Sequence, residues 1–325
     1  MSLASYAVGV DVGGTKISAG LVDRKGRVVA GTIASTPTEG PFAIVDSIID
    51  AVRAVTRDAH PSELAGAALG LPAQIDWHRQ TIEFCTNLPL AGVDVHGMVQ
   101  TRLNLPVVID NDGEVAAIGE ARFGAAKGAR DFLMITMGTG VGGGLWLGGR
   151  PYRGSRGFGG EIGHVLVEFE GLQCPCGGFG NLEAYASRHA LVRDAREAAA
   201  TYRGAAIKRL ANDDLDAITD DTLLQAVREG DELAGEILAR AAEIFGRAMV
   251  GMVNLLDPQL IVVGGGLGQK TPVWVEAADA AIRREALAGR ADVRVVPAEL
   301  GNDAGVIGAG ALAFDEYDAR EEPGL

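Results

Sequence analysis

Apolar residues near the start of the chain come in short, nearly unbroken runs. Tyr6–Asp11 reads as a buried strand, Lys16–Val22 as a second and Gly26–Ala34 as a third, with Gly13-Gly14 turning between the first two. Two strands joined by a glycine pair make a hairpin, so the chain is expected to open with an antiparallel unit. Helical spacing takes over at Pro41, whose missing N–H is harmless at a first helical position. Phe42, Val45, Ile48, Ile49 and Val52 mark its apolar side. Ala65–Leu71 and Val107–Asp110 repeat the buried-strand pattern, and a helix is predicted from about Asp112 to Arg122.

Asp131–Met137 is a strand running into glycines from Gly138 to Gly144, and apolar residues resume at Leu145-Trp146-Leu147. This predicts a second strand–turn–strand unit, and its likeness to the first points to an internal duplication. Gly177–Asn181 leads into a helix to about Ala200. A short helix covers Asp220–Glu229, and a long one covers Glu232–Leu256, stopped by Pro258. Leu260–Val263 is a strand entering Gly264-Gly265-Gly266. Thr271 and Pro272 open a helix that Gly289 closes. Val293–Val296 is a strand, a final Ala/Gly-rich helix begins near Asp303, and the charged tail after Asp318 is read as loose. Strands and helices in this alternation make an α/β protein.

Composition narrows the class. A chain of 325 residues suggests two lobes, and 47% hydrophobic but only 5% aromatic residues call for cores of Ala, Val, Leu and Ile. A formal charge of −14 argues against a nucleic-acid surface, which needs a basic footprint. No apolar run is long enough for a membrane span, and the opening residues lack the pattern of a secretory signal. Three cysteines, Cys85, Cys174 and Cys176, make no disulfide framework. A cytoplasmic protein is expected.

Five motifs carry candidate chemistry. In Asp11-Val12-Gly13-Gly14-Thr15-Lys16, a carboxylate ends a strand beside a turn whose amides are open to a phosphate. Asp11 suits a magnesium shell, since hard cations take oxygen ligands. A plain hairpin turn fits the same residues. Gly138-Thr139-Gly140 opens a nominal GxGxxG. The strand-like residues after Gly144 disfavour dinucleotide binding, which needs a helix there, and favour a hairpin cradling a terminal phosphate. Gly264-Gly265-Gly266 would let a ring or ribose lie on the backbone, or is a tight turn. Asn111 and Asp112 sit at a helix start, where either could be an N-cap and Asp112 could be a general base. Glu161, His164 and Glu183 can hydrogen-bond hydroxyls in fixed directions. His164 with Cys174 and Cys176 suggests zinc, although taken alone the CxC is better read as two buried thiols.

The order of these motifs, from DVGGTK through NDGEVAA, GTGVGGG, ExGH and CxCG…LE to VVGGGLG, resembles that of the ROK family of bacterial sugar kinases and related repressors. The likeness runs from Val8 to about Ala313. It implies the actin-like, hexokinase-like fold of two α/β lobes. Residues 1–111 with 302–325 would form the small lobe and 112–301 the large one. It also implies ATP with Mg²⁺ as phosphoryl donor, with polyphosphate as the other donor found in relatives. The acceptor would be a hexose, glucose first, with mannose or an N-acetylhexosamine as alternatives and a silent sugar sensor as the non-enzymatic one. Asp112 would be the base, and Asn111, Asp112, Glu161, His164 and Glu183 would hold the sugar. Asp11, Gly13, Gly14, Thr15 and Lys16, then Gly138, Thr139 and Gly140, would hold the phosphates, and Gly264, Gly265 and Gly266 the adenosine. A homodimer or higher assembly is implied as well. One position departs from the family pattern: the third zinc cysteine of CxCGxxGCxE is Asn181, which leaves the metal set of His164, Cys174 and Cys176 one thiolate short. The repressors' DNA-binding extension ahead of the first motif is not matched here, which favours an enzyme.

Overall fold

The computed structural model describes residues 4–287 and 292–321. The chain begins with β1 (Tyr6–Val12), β2 (Lys16–Asp23), β3 (Val28–Ser35), α1 (Pro41–Val55) and β4 (Leu64–Leu71). A small hairpin of β5 (Gln74–Asp76) and β6 (Thr81–Phe84), then α2 (Val95–Leu103), precede β7 (Val107–Asn111) and α3 (Asp112–Phe123). Next come β8 (Phe132–Met137), β9 (Val141–Leu147) and β10 (Arg150–Pro151). Helices α4 (Glu183–Ala186), α5 (Arg188–Ala199), α6 (Ala205–Leu210), α7 (Asp220–Arg228) and α8 (Glu232–Leu256) lead to β11 (Leu260–Gly264) and the single turn α9 (Gly265–Gly268). The chain closes with α10 (Val273–Glu285), β12 (Arg294–Pro297) and α11 (Ala304–Glu321).

There are two five-stranded sheets among the described residues, ordered β3-β2-β1-β4-β7 and β10-β9-β8-β11-β12. Counted within its own run, each sheet has the same order, third strand outermost and first strand central. The duplication suggested by the two glycine turns is therefore present at the level of topology. In the first sheet, β1, β2 and β3 are antiparallel neighbours, while β1, β4 and β7 run parallel. In the second, β9 and β10 are antiparallel and β11 and β12 parallel.

The chain gathers into two compact units. One takes the described residues up to Met134, Gly143–Gly160 and those from Ala298 onward; the other takes Ile135–Gly142 and the described residues of Glu161–Pro297. The sequence division put Asp112 onward in the large lobe, whereas α3 clusters here with the N-terminal sheet. In the first unit, Val8, Val10 and Ile17 of the sheet pack with Ile44, Ile48 and Ile49 of α1 and with Leu69 and Ile109.

Helix α11 packs on β1, β2 and β4 and also on α3. Small residues recur along α11 at Gly305, Gly308, Ala309, Gly310 and Ala311, and at Gly308 backbone meets backbone. A Cβ on Gly308 would overlap the Val115 carbonyl of α3, and one on Gly9 of β1 would overlap the Val306 carbonyl of α11. At its far end, α3 is tied to the segment before α11 by the buried carboxylate of Glu120, which accepts from Ala125 N at 2.7 Å, Leu300 N at 2.9 Å and Glu299 N at 3.3 Å.

Three local expectations shift. Gly142, Gly143 and Gly144 are strand residues rather than a long turn, because β9 lies against the first turn of α3; a Cβ on Gly144 would sit 2.5 Å from the Gly113 carbonyl. Helix α10 begins one residue beyond Pro272, and its expected stop at Gly289 lies outside the described residues. The chain is helical through Asp318 as far as Glu321, since Asp318 accepts two 2.9 Å hydrogen bonds from Arg24.

Gly308→Ala is expected to destabilise the protein by about 1–3 kcal/mol or more through overpacking. Gly251→Ala, on α8 with open space around it, should instead gain up to about 1 kcal/mol of helix propensity. Thermal unfolding of the two variants reads the difference, and equal melting temperatures would contradict the packing described.

Candidate functional site

In the first unit, β1 delivers Asp11 to the edge of the Gly13–Thr15 turn. Thr36 braces that turn: its Oγ1 donates to Gly13 O at 2.7 Å and its N–H to Thr15 O at 3.0 Å. Gly14, Thr15 and Lys16 are exposed. Asp11 is half-buried, and burial pushes its carboxyl up while the Lys16 charge pulls it back. Gly305, in the first turn of α11, lies so close that a Cβ there would be 2.7 Å from the Asp11 carboxyl carbon.

Asn111 is the N-cap of α3. Its Oδ1 accepts from Gly113 N at 2.8 Å and Glu114 N at 3.3 Å, and its Nδ2 donates to Ala73 O at 3.2 Å. The cap uses both ends of the amide, leaving one Nδ2 hydrogen for a ligand. Asp112 is the first helical residue, half-buried, with Oδ1 accepting from Gly113 N at 2.9 Å.

Asp110, beside them, is almost wholly buried and paired with Arg153: Nε lies 2.8 Å and Nη2 2.7 Å from Oδ2. The Arg153 guanidinium lies 3.7 Å above the Trp77 ring centroid. Asp110 Oδ1 accepts from Asn111 N at 2.9 Å, so the arginine fixes the strand end that carries Asn111 and Asp112. Burial pushes the Asp110 carboxyl up, and Arg153 opposes that. Glu114 is fully buried one helical turn on; Oε1 accepts from Leu145 N at 3.3 Å and Oε2 has no partner. Burial, with the Asp110 charge adding to it, raises its carboxyl well above the ordinary value.

Two residues outside the sequence motifs join this group. The half-buried Cys85 is close enough to Asp112 for that charge to help burial raise its thiol. Asn87 has its Cβ 3.9 Å from the point a Cβ on Gly14 would occupy. They follow the β5–β6 hairpin, whose three- and four-residue strands carry too little periodicity to be read from sequence.

In the second unit, the Gly138–Gly140 turn is closed by Gly138 N to Gly140 O at 2.9 Å. The first amides of α5 hold its outer carbonyls, Arg188 N to Gly138 O at 3.0 Å and His189 N to Thr139 O at 3.4 Å. That requirement breaks the single helix expected up to Ala200. Ser187 is extended between α4 and α5, and its Oγ accepts from Ala190 N at 3.1 Å.

Glu183 reaches beneath the same turn, with Oε2 accepting from Val141 N at 2.9 Å and Oε1 from the Cys174 thiol at 3.3 Å. Gly163 packs against Val141, which sets Glu161 and His164 beside that hairpin; His164 Nε2 is 3.8 Å from Glu161 Oε2. Gly265 has φ +80° and lies on the end of β8, where a Cβ would be 2.6 Å from Met137 N. The second and third glycine motifs are thus neighbours. Arg188 approaches Gly266 and is anchored at 3.3 Å to the buried Asp220, which also holds Lys270 at 2.8 Å. Burial works to raise the Asp220 carboxyl, but Lys270 and Arg188 outweigh it and the net shift is downward. Neither Arg188 nor Asp220 stood in a recognisable motif. The ligating atoms of His164, Cys174 and Cys176 lie within 4.8 Å of one another.

Two sheets of one strand order, each with a glycine turn after its first strand and carboxylates at the strand and helix ends, define the actin-like, hexokinase-like class of phosphotransferase folds. The sequence model of the ROK family matches residues 7–316, and the chain belongs to that family. It is 36% identical over 310 residues to a glucokinase of Streptomyces coelicolor, covering 94% of this chain and 96% of that one. A solved ROK glucokinase from Streptomyces griseus, in complex with glucose and AMPPNP, superimposes with a TM-score of 0.85 at 35% identity, covering 95% of this chain and 99% of that one. The xylose repressor of Bacillus subtilis is 27% identical over 319 residues, covering 97% of this chain and 78% of the repressor.

The pH dependence of stability should report Glu114. Its folded-state value lies above the unfolded one, so between them the native protein keeps a proton that the unfolded chain has lost. Stability therefore falls as pH rises past 4.5. Glu114→Gln removes the ionisation and keeps the acceptor for Leu145 N. Thermal unfolding should show the variant gaining on the wild type as the pH rises above 4.5; a difference independent of pH would contradict the burial of an ionisable carboxyl here.

Proposed function

We propose that this chain is an ATP-dependent hexokinase that phosphorylates glucose to glucose 6-phosphate. The observation that carries the reading is Asp112 itself: a half-buried carboxylate at the first position of α3, set by the Asn111 cap and the Arg153–Asp110 pair. A protein that only sensed a sugar would have no use for a base there. The glucokinase relatives in Streptomyces, one of them bound to glucose and AMPPNP, support the same acceptor and donor.

In this reading the acceptor hydroxyl gives its proton to Asp112 as its oxygen attacks the γ-phosphorus. The bond to the β–γ bridging oxygen breaks and ADP leaves. A positioned base contributes roughly 10²–10⁴-fold to such a step. Asn111 offers its remaining Nδ2 hydrogen to the sugar. Glu161, His164 and Glu183 take other hydroxyls; each Glu183 oxygen already accepts one protein donor and keeps a further lone pair. The amides of the Gly13–Thr15 and Gly138–Gly140 turns face the phosphates, with Thr15, Lys16 and Thr139 beside them, and Gly264–Gly266 takes the adenosine. ATP is used as its magnesium complex, and the Asp11 carboxylate is an oxygen donor of the kind that cation prefers. No helix among the described residues is long and apolar enough to cross a membrane, and the reading carries with it a cytoplasmic enzyme, assembled as a dimer or larger.

Coupled ADP release with ATP–Mg²⁺ and a panel of glucose, mannose and N-acetylated hexosamines tests this. Glucose is expected to give the highest kcat/KM. Asp112→Asn should lose about 10²–10⁴-fold in kcat while binding glucose by calorimetry within a few-fold of wild type. Near-normal turnover in the variant would remove Asp112 from the base's role, and silence of the wild type with every sugar would favour a sensor.

A further inference from the structure

The zinc pattern of the family can be tested on this chain's own donors. His164, Cys174 and Cys176 bring three ligating atoms together, while a structural zinc site takes four. The fourth position belongs to Asn181, which is buried. Its Nδ2 lies 3.3 Å from His164 Nδ1 and 3.4 Å from Cys176 Sγ. An amide nitrogen has two hydrogens and no lone pair to give a metal. Here it sits against a ring nitrogen of His164 and donates to Cys176 Sγ, so it engages two of the three side chains that would have to donate to zinc. The third candidate is turned away as well: the Cys174 thiol donates to Glu183 Oε1 at 3.3 Å, a hydrogen bond that a metal-bound thiolate could not make. The residues present do not fit the ion.

The loop also closes without it. Val167 and Glu168 N–H groups reach Gly180 O at 2.8 and 3.0 Å, and Gly180 N reaches Leu172 O at 2.8 Å. Cys174 N reaches Gly178 O at 2.8 Å, and Leu182 N reaches Val165 O at 3.0 Å. Bridges pair Leu166 with Asn181 and Gln173 with Phe179. This is a small ladder of its own, and the Asn181 side chain pins its two ends to His164 and Cys176.

We propose that Asn181 replaces the metal in this chain: its amide is the clasp that orients His164, holds Cys176, and through the adjoining Leu182 sets Glu183 beneath the Gly138–Gly140 turn. Asn181 is a positioning residue, acting on the sugar through His164 and Glu183. The part of the inference that concerns sugar rests on the proposed hexokinase reading; the part that concerns metal does not.

The experiment begins with metal content. Protein produced with zinc in the medium and measured by inductively coupled plasma mass spectrometry should carry far less than one equivalent, and a zinc-selective chelator should leave its melting temperature unchanged. Asn181→Cys completes the thiolate set. It should take up one equivalent of zinc and become sensitive to the same chelator. Asn181→Ala should lower the melting temperature and raise the KM for glucose several-fold with a smaller change in kcat, and zinc-loaded Asn181→Cys should restore both. Stoichiometric zinc in the wild type would overturn the proposal. So would an Asn181→Ala protein with unchanged melting temperature and unchanged KM. Metal content and melting are read without any sugar, so a wild type inactive on every hexose would count against the hexokinase reading and leave the clasp to be judged on those two measurements.

Discussion

Backbone-to-backbone packing of α3 is the constraint on which the first unit is built. The helix is held on one side by α11, where Gly308 meets Val115, and on the other by β9, where a Cβ on Gly113 would strike Gly143 and one on Gly144 would strike Gly113. Packing this close leaves little freedom for α3 to slide or rotate, because any shift drives carbonyl oxygens into main chain rather than into deformable side chains. Asp112 stands at the first position of that helix and inherits its placement. The same device places Asp11, whose carboxyl lies against Gly305 at the start of α11. Two carboxylates with separate proposed roles are thus referred to one helix pair.

Electrostatics refines what packing sets. Asp110 and Arg153 are both largely buried, and a buried pair of this kind is costly to break because the survivor is left as an uncompensated charge. That gives the Asn111–Asp112 segment a stiff anchor on the side away from the helix. In the second unit a single carboxylate does the comparable job. Glu183 accepts the Val141 amide with one oxygen and the Cys174 thiol with the other, so the glycine turn and the cysteine loop are tied through it.

Much of this was legible in the sequence, for physical reasons that differ by element. Buried strands such as β1, β4 and β11 are continuous apolar runs, and α8 shows its period over 25 residues, so both announce themselves. The glycine turns were legible as turns between strands, and their repetition pointed to the duplication that the two sheets share in their strand order. The run Gly142–Gly144 was misread as turn because glycine marks a close approach as readily as a bend, and only the helix lying on β9 distinguishes them. The break at Ser187 was invisible for the same reason: the carbonyls of Gly138 and Thr139 that demand it are distant in sequence. Arg153, Asp220 and Asn87 lie outside any motif, and each matters through a partner brought near by folding. Asn111, weighed as either cap or ligand, is a cap in the structure, with one hydrogen left over.

The claim that packing of α3 places the base is tested most directly by Gly113→Ala, whose new methyl would press on the Gly143 carbonyl while leaving every proposed sugar- and phosphate-binding side chain intact. Glucose affinity by calorimetry and single-turnover phosphorylation rates would be measured on protein shown to be folded by its circular dichroism. Affinity within a few-fold of wild type and a phosphorylation rate at least about tenfold lower are expected, as when a reacting group is displaced by a fraction of an ångström to an ångström. A folded variant that phosphorylates glucose at the wild-type rate would contradict that claim.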